Sequence, residues 1–144
     1  MSEQVQDVRY FSLDEANQTL PLVRRIVTDI VDMYPGVQRK LATLRTLAAL
    51  PEEKGLTRRM EDLRDQLEGD SDVLNGFLRE LSQIGCEFKG FEDGLVDFHA
   101  WLDGRPVLLC WKLGEDRIEW WHELDGGFAG RRPLSRDVAD RLRS

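Results

Sequence analysis

Apolar residues fall on a seven-residue repeat along the first half of the chain, which predicts long helices. The first repeat starts near Leu20 and fills two positions that lie three residues apart, which is the spacing of a coiled-coil seam. The residues at these positions are Leu20, Val27, Tyr34, Leu41, Ala48 and Val23, Ile30, Val37, Leu44. Pro35 and Gly36 interrupt the repeat without changing its phase. The unchanged phase favours one kinked helix over two separate helices.

The residues before this repeat carry a helix start. Ser12 and Glu15 have the spacing of a capping box, in which each side chain bonds to the other residue's backbone amide. Pro21 follows soon after, and proline is best tolerated in a first helical turn. We therefore expect a short helix at about 13–19, then a new or kinked helix from near Leu20.

A second heptad repeat follows the predicted turn at residues 51–55. Its apolar positions are Met60, Leu67, Leu74, Leu81 and Leu63, Phe77, Ile84. Asp70 stands where the repeat calls for an apolar residue, so residues 69–72 are predicted to form a loop or a solvated bulge. Two heptad-patterned segments joined by a short turn predict an antiparallel helical hairpin.

Beyond Gly85 the pattern changes to strands. Four are predicted, at 86–91, 95–102, 105–113 and 118–124, and Asp103-Gly104 is a strong signal for a two-residue hairpin turn. Ser135 can cap a short final helix. The fold class is α+β: a long antiparallel α-helical, coiled-coil-like hairpin followed by a small antiparallel β-meander of three to four strands. We expect a single domain over 1–144, with the hairpin at about 13–84, the β unit at about 86–134 and the last helix at about 135–143.

Composition and charge limit the classes of partner and the cellular location that we expect for this protein. The 144 residues are 41% hydrophobic, which suits a folded core, and carry a net charge of −7. That charge argues against a general nucleic-acid binder, because phosphate binding needs a cationic face. No apolar run approaches the ~20 residues of a membrane span, and no targeting segment is visible at Met1–Arg9. The expected location is cytoplasmic, with no nucleic-acid or membrane partner. Cys86 and Cys110 are predicted to be buried thiols.

Several longer motifs resemble a known family. The stretches GLVDF, VLLCWKLGED and WHELDGGFAGRRPL, with FSLDEANQTLPLV near the start, are similar to the domain of unknown function 2203 family. This resemblance implies a small cytoplasmic prokaryotic protein and implies no reaction. His99 stands where the family usually has proline, so a role for His99 would not be shared by the family.

Residues around His122 are the main candidates for chemistry. Acid/base catalysis at His122 would draw on Glu123, Asp125 or Asp97, although strand alternation sends His122 and Glu123 to opposite faces. Asp97 and His99 share a face, so a metal site with His122 is geometrically possible. The alternative is a structural histidine bonded to a carboxylate or to backbone.

The glycine-rich segment that follows is a second candidate. Gly130, Arg131 and Arg132 can clamp an anion or a small ligand, with the neighbouring Trp120 and Trp121 as a stacking surface. The alternatives are ion pairs between these arginines and nearby carboxylates, and tryptophans that belong to the core or to an interface.

The leading functional hypothesis is a non-enzymatic interaction or oligomerisation module. It would form a homo-oligomer, as a dimer, through the hairpin or an exposed tryptophan face. The alternatives are a small metal-dependent or acid/base enzyme centred on His122, and an anion or small-ligand sensor using the GFAGRR segment. The sequence assigns no cofactor and leaves open whether the protein is an enzyme.

Overall fold

The first half of the chain forms the predicted hairpin of two long helices. The computed structural model describes residues 8–53 and 55–144, so residues 1–7 and Lys54 of the predicted turn lie outside the described residues. Helix α1 spans Leu13–Ala48 and helix α2 spans Leu56–Ile84. No helix of the described residues is long and apolar enough to cross a membrane.

Helix α1 starts at the predicted cap and then runs without a break. Ser12 accepts a hydrogen bond from the Glu15 amide, and Glu15 accepts one from the Ser12 amide, so the capping box is complete. Pro21 and Pro35 both lie inside the helix. The prediction of a short helix ending near residue 19 is therefore wrong, and the prediction that the helix continues across Pro35 is confirmed.

Packing explains why Pro21 does not end α1. An interior proline costs about 3 kcal/mol because it removes a backbone hydrogen bond and crowds the preceding turn. The turns that follow Pro21 bury Val23, Ile26, Val27 and Ile30. Each fully buried aliphatic side chain contributes about 1.5–3 kcal/mol, which exceeds that cost.

Helix α2 also passes through its predicted weak point. The expected loop or bulge at 69–72 is wrong, because the helix is continuous there. Asp70 lies at the seam and accepts a hydrogen bond from Lys40 of α1 at 2.7 Å, with both side chains partly buried. A polar residue at an apolar heptad position is thus paired across the hairpin instead of breaking the helix.

The second half of the chain forms a six-stranded sheet in which every pair of neighbours is antiparallel. The strands are β1 Glu87–Gly90, β2 Leu95–Leu102, β3 Arg105–Lys112, β4 Trp120–Glu123, β5 Arg132–Pro133 and β6 Leu142–Arg143. Strands β1 to β5 follow one another across the sheet, and β6 pairs with β2 beyond the end of β1. The first four strands match the predicted meander, and the two-residue strands β5 and β6 were not predicted. Ser135 caps helix α3, Arg136–Arg141, as expected.

Two turns position strand β2, one before it and one after it. Asp103 and Gly104 both have positive φ, at 52° and 80°, as the predicted two-residue turn requires. Gly94 precedes β2 with φ 68°, and a Cβ there would lie 2.8 Å from side-chain atoms of Val27 and Leu113. The glycine therefore lets this turn press against α1.

One face of the sheet packs on the hairpin and forms the main core with it. In β2 and β3 this inner face carries alternate residues, all of which are buried: Val96, Phe98, Ala100, Leu102, Val107, Leu109 and Trp111. Helix α1 contributes most of the facing side chains, and Leu81 is the one buried residue of α2. The opposite, outer face is covered in part by residues 124–131, and the candidate site lies there.

Candidate metal centre

Three neighbouring strands bring one polar side chain each to the outer face. Asp97 of β2 lies directly opposite Cys110 of β3, and His122 of β4 lies opposite Leu108 of the same strand. Strand alternation places all three side chains on the same side of the sheet. Asp97, Cys110 and His122 are 5%, 2% and 2% exposed, so the cluster is buried.

The three side chains converge on one point. A carboxylate oxygen of Asp97, the sulfur of Cys110 and a ring nitrogen of His122 all lie within 4.8 Å of one another. The distance from His122 Nε2 to Asp97 Oδ1 is 3.2 Å, within hydrogen-bond range. Two ligands held about 2.0 Å from a tetrahedral ion lie about 3.3 Å apart, so the same spacing also fits two ligands of one metal ion.

The orientation of His122 suits a metal ligand. Its Nδ1 lies 2.7 Å from the carbonyl oxygen of Glu123 and must carry a proton to donate to it. This contact leaves Nε2 to face Asp97. A backbone carbonyl that fixes the imidazole in this way is the usual support of a metal-binding histidine.

The same contacts disfavour a thiol nucleophile. In a catalytic triad the imidazole uses one nitrogen for the nucleophile and the other for the carboxylate. Here the two nitrogens of His122 face the Glu123 carbonyl and Asp97, and among the described residues no hydrogen bond joins His122 to the thiol of Cys110. Burial, reinforced by the charge of Asp97, raises the pKa of the Cys110 thiol to about 11, which is the opposite of an activated cysteine.

A cavity of about 240 Å³ opens beside the cluster. The three cluster residues line its polar side. The rest of its lining is Lys89, Leu95, Leu108, Leu124, Gly127 and Phe128. Leu124, Gly127 and Phe128 come from the segment that follows β4, which therefore roofs the cavity. A ligand in this cavity would meet the cluster at one end and apolar side chains around it.

Arg131 ties the roof to β3. Its guanidinium donates to Glu115 Oε1 at 2.7 Å and to the carbonyl oxygen of Cys110 at 3.3 Å. Its guanidinium carbon also lies 5.0 Å from the ring centre of Trp120 and 4.7 Å from that of Phe128. Arg131 thus holds the backbone of one cluster residue and the roof together, and its charge is paired inside the protein.

The other sequence candidates lie apart from this cluster. His99 shares the outer face but bonds to Glu87 at 2.6 Å, and this contact lowers the pKa of the Glu87 carboxyl. Glu123 pairs with Arg105 at 3.0 Å, which lowers the Glu123 pKa. Asp125 is exposed and lines none of this cavity.

The glycine–arginine segment is divided between two environments. Gly130 ends the short 3₁₀ turn Phe128–Gly130. Arg132 is exposed, and its nearest carboxylate oxygen, on Glu123, is 4.0 Å away. Trp121 is buried in the core, whereas Trp120 is only partly buried beneath Arg131. Of the two arginines in the candidate anion site, Arg131 is paired inside the protein and Arg132 is exposed.

Sequence reasoning did not connect Cys110 with Asp97 and His122, although a signal was present. A two-residue turn at Asp103-Gly104 pairs Leu102 with Arg105, and five residues further along each strand it pairs Asp97 with Cys110. The turn therefore fixes this register, and with it the face that Cys110 shares with Asp97.

Comparison with known proteins places the chain in a family. Residues 9–134 match the model of a family described as "Uncharacterized conserved protein (DUF2203)". No curated protein and no solved structure matches the chain. The match covers both helices of the hairpin, the meander and the roof over the cluster. The resemblance found in the sequence is thereby confirmed, and the chain belongs to the DUF2203 family.

Proposed function

We propose that this protein binds one zinc ion through Asp97, Cys110 and His122, and that the bound ion is a reactive centre rather than a structural one. The observation that carries the proposal is the convergence of three buried donors of different elements, one oxygen, one sulfur and one nitrogen. Zinc accepts all three kinds of ligand in a tetrahedral arrangement.

Electrostatics supports a cation at this point. Three groups with lone pairs meet while they are almost wholly buried, and a buried polar cluster is costly unless a proton or a metal ion lies between its members. A zinc ion would replace the thiol proton of Cys110 and satisfy Asp97 and His122 Nε2 at once. The two anionic ligands would balance its charge.

The number of ligands supports a reactive centre. Structural zinc sites use four protein ligands, whereas catalytic sites use three and leave the fourth position to water or substrate. Among the described residues, the cluster supplies three donors, and the cavity of about 240 Å³ lies next to them. A zinc ion with an open position lowers the pKa of bound water, so metal-assisted hydrolysis is the reaction class that fits.

Metal titration with matched variants tests the proposal. Metal-free protein is dialysed against zinc, and cobalt replaces zinc to report on the ligands. One ion should bind per chain, and cobalt should give the near-ultraviolet charge-transfer band of a thiolate ligand. Cys110→Val, Asp97→Asn and His122→Asn should abolish tight binding.

The chain offers its own controls, because it has one further histidine and one further cysteine. His99→Asn and Cys86→Val should leave metal binding unchanged, since neither side chain belongs to the cluster. Equal loss in the controls and in the cluster variants would overturn the proposal, and so would the absence of stoichiometric binding in the wild type.

A second candidate function is self-association through the hairpin. Only Leu81 of the 29 residues in α2 is buried. Leu41 of the predicted seam and Val73 of α2 are 36% and 49% exposed. A second copy could cover this apolar surface. Sedimentation analysis should then give a dimer that Leu41→Glu or Val73→Glu converts to monomer, and a monomeric wild type across the micromolar range would exclude it.

A further inference from the structure

The cavity beside the cluster indicates what kind of molecule the centre takes. We infer that the ligand is a small monoanion whose oxygen donors bind the zinc ion and whose short apolar tail lies beneath Leu124 and Phe128. The inference rests on the proposed zinc site and adds the chemical class of its substrate.

The apolar part of the inference comes from the cavity wall and its rim. Leu95 and Leu108 form the wall on the sheet side, and Leu124 and Phe128 form the roof. The two roof residues are 53% and 43% exposed, so two large apolar side chains stand at the rim of the same cavity. Apolar walls around a few polar groups are typical of small-molecule sites.

The size of the tail follows from the volume. A water molecule takes up about 30 Å³, and a methylene group is of similar size. The cavity of about 240 Å³ therefore holds about eight such groups. A head group of four atoms leaves space for a tail of about four carbons.

The charge of the ligand follows from the groups around the cavity. A zinc ion with one carboxylate and one thiolate ligand has no net charge, so an anionic head group would leave one excess negative charge. Lys89 lines the cavity and can donate an N–H to an anionic head group. Its ammonium also pairs with Glu87 at 2.9 Å, which raises its pKa and leaves it to share its charge between that carboxylate and the ligand. This arrangement suits one negative charge and disfavours two.

A homologous series of hydroxamates tests the inference. Straight-chain hydroxamic acids from acetyl to octanoyl share one zinc-binding head group and differ only in the apolar tail. Their affinity for the zinc-loaded protein is measured by calorimetry. Each added methylene should strengthen binding about fourfold, up to about the pentanoyl member, and longer tails should gain little more.

Roof variants show whether the tail lies where the inference places it. Leu124→Ser and Phe128→Ser remove apolar surface from the roof without touching the proposed zinc ligands, and they should flatten the dependence on tail length. Leu22→Ser removes an exposed leucine of α1 that does not line the cavity, and should leave the dependence unchanged.

The outcomes separate the two proposals. If zinc binds one to one but hydroxamate affinity does not change with tail length, the ligand class is wrong and the zinc site stands. A length dependence that survives both roof variants places the tail elsewhere and also overturns the inference. If zinc does not bind at all, both proposals fail.

Discussion

The inner face of the sheet is filled by apolar side chains that pack on the hairpin, whereas the outer face buries Asp97, Cys110 and His122 beneath a short covering segment. The two faces belong to the same strands and differ only by strand alternation. The inner face gains stability from burial itself. The outer face keeps three polar groups out of water, which stabilises the fold only when something positive lies between them. The inner face therefore stabilises the fold, whereas the outer face is suited to binding a ligand.

The largest effect is expected on the inner face. Phe98 is fully buried, and its ring lies 5.2 Å from that of Phe11 in an edge-on arrangement. Phe98→Ala should lower the free energy of unfolding by about 3–5 kcal/mol, because it leaves a cavity in the core. Urea unfolding with and without zinc measures this loss, which should be the same in both conditions. A loss that appears only with zinc would remove the distinction between the faces.

Replacing Cys110 tests the outer face alone. Cys110→Val keeps the volume nearly constant, so the metal-free protein should change in stability by less than about 1.5 kcal/mol. Wild-type protein in zinc at a hundredfold excess over Kd should gain about 2.7 kcal/mol, and the variant should gain none. Thermal unfolding with and without zinc checks both statements, and an equal zinc effect in the two proteins would contradict them.

Two buried cysteines, Cys86 in the main core and Cys110 on the outer face, should both make the stability of the fold depend on pH. Burial raises the pKa of Cys86 to about 12 and that of Cys110 to about 11. An unfolded cysteine has a pKa of about 8.5, so both thiols are protonated below that pH in either state. As the pH rises from about 8.5 towards 11 and 12, the unfolded chain loses these protons before the folded chain does, so stability falls across this range.

Zinc should change the contribution of Cys110 to this pH dependence and leave that of Cys86 unchanged. A zinc ion replaces the thiol proton of Cys110, so zinc-saturated protein should lose stability with alkaline pH less steeply than metal-free protein. Cys110→Val should reproduce the shallower slope without zinc, and Cys86→Val should leave the zinc effect intact. Urea midpoints between pH 8 and 11 give the slopes, and identical slopes with and without zinc would refute the assignment.

The smallest effect is expected where β3 begins and β4 ends, at one end of these two interior strands. Arg105 pairs with Glu123 near solvent, with the Arg105 side chain exposed and the Glu123 side chain partly exposed. Such surface pairs contribute about 0–1 kcal/mol, so Arg105→Gln should change stability by less than about 1 kcal/mol and leave zinc affinity unchanged. Chemical unfolding and a zinc titration provide the two values. A large loss of zinc affinity would mean that the Glu123 side chain, and not only its carbonyl, supports His122.

Much of the architecture could be predicted because it depends on local periodicity. The capping box at Ser12, the two heptad repeats and the Asp103-Gly104 turn each act within a few residues, so the elements follow from the chain itself. The errors at Pro21 and at 69–72 share one cause. In both places a local breaker was overcome by a partner distant in sequence, the inner face of the sheet in one case and Lys40 in the other.

The candidate site could be predicted only in part. Asp97 and His122 were proposed together on alternation, and the structure places them in contact. His99 was proposed with them, and its ring bonds to Glu87 on the neighbouring strand instead. Cys110 was interpreted as a buried thiol, which it is, but its position opposite Asp97 depends on strand pairing. The positions of these side chains relative to one another depend on the pairing of three strands, β2, β3 and β4.

By itself the sequence determined the type and order of the helices and of the first four strands, because helix caps, heptads and tight turns depend on neighbouring residues. It also determined which residues share a strand face, since alternation has a fixed period of two. Only the tertiary structure decided that Asp97, Cys110 and His122 meet out of solvent and that Arg131 pairs inside while Arg132 remains exposed. The physical reason is that these contacts join residues up to 25 positions apart, as in the bond from His122 to Asp97. Such contacts form only once the sheet has set its register and the segment after β4 has folded over it.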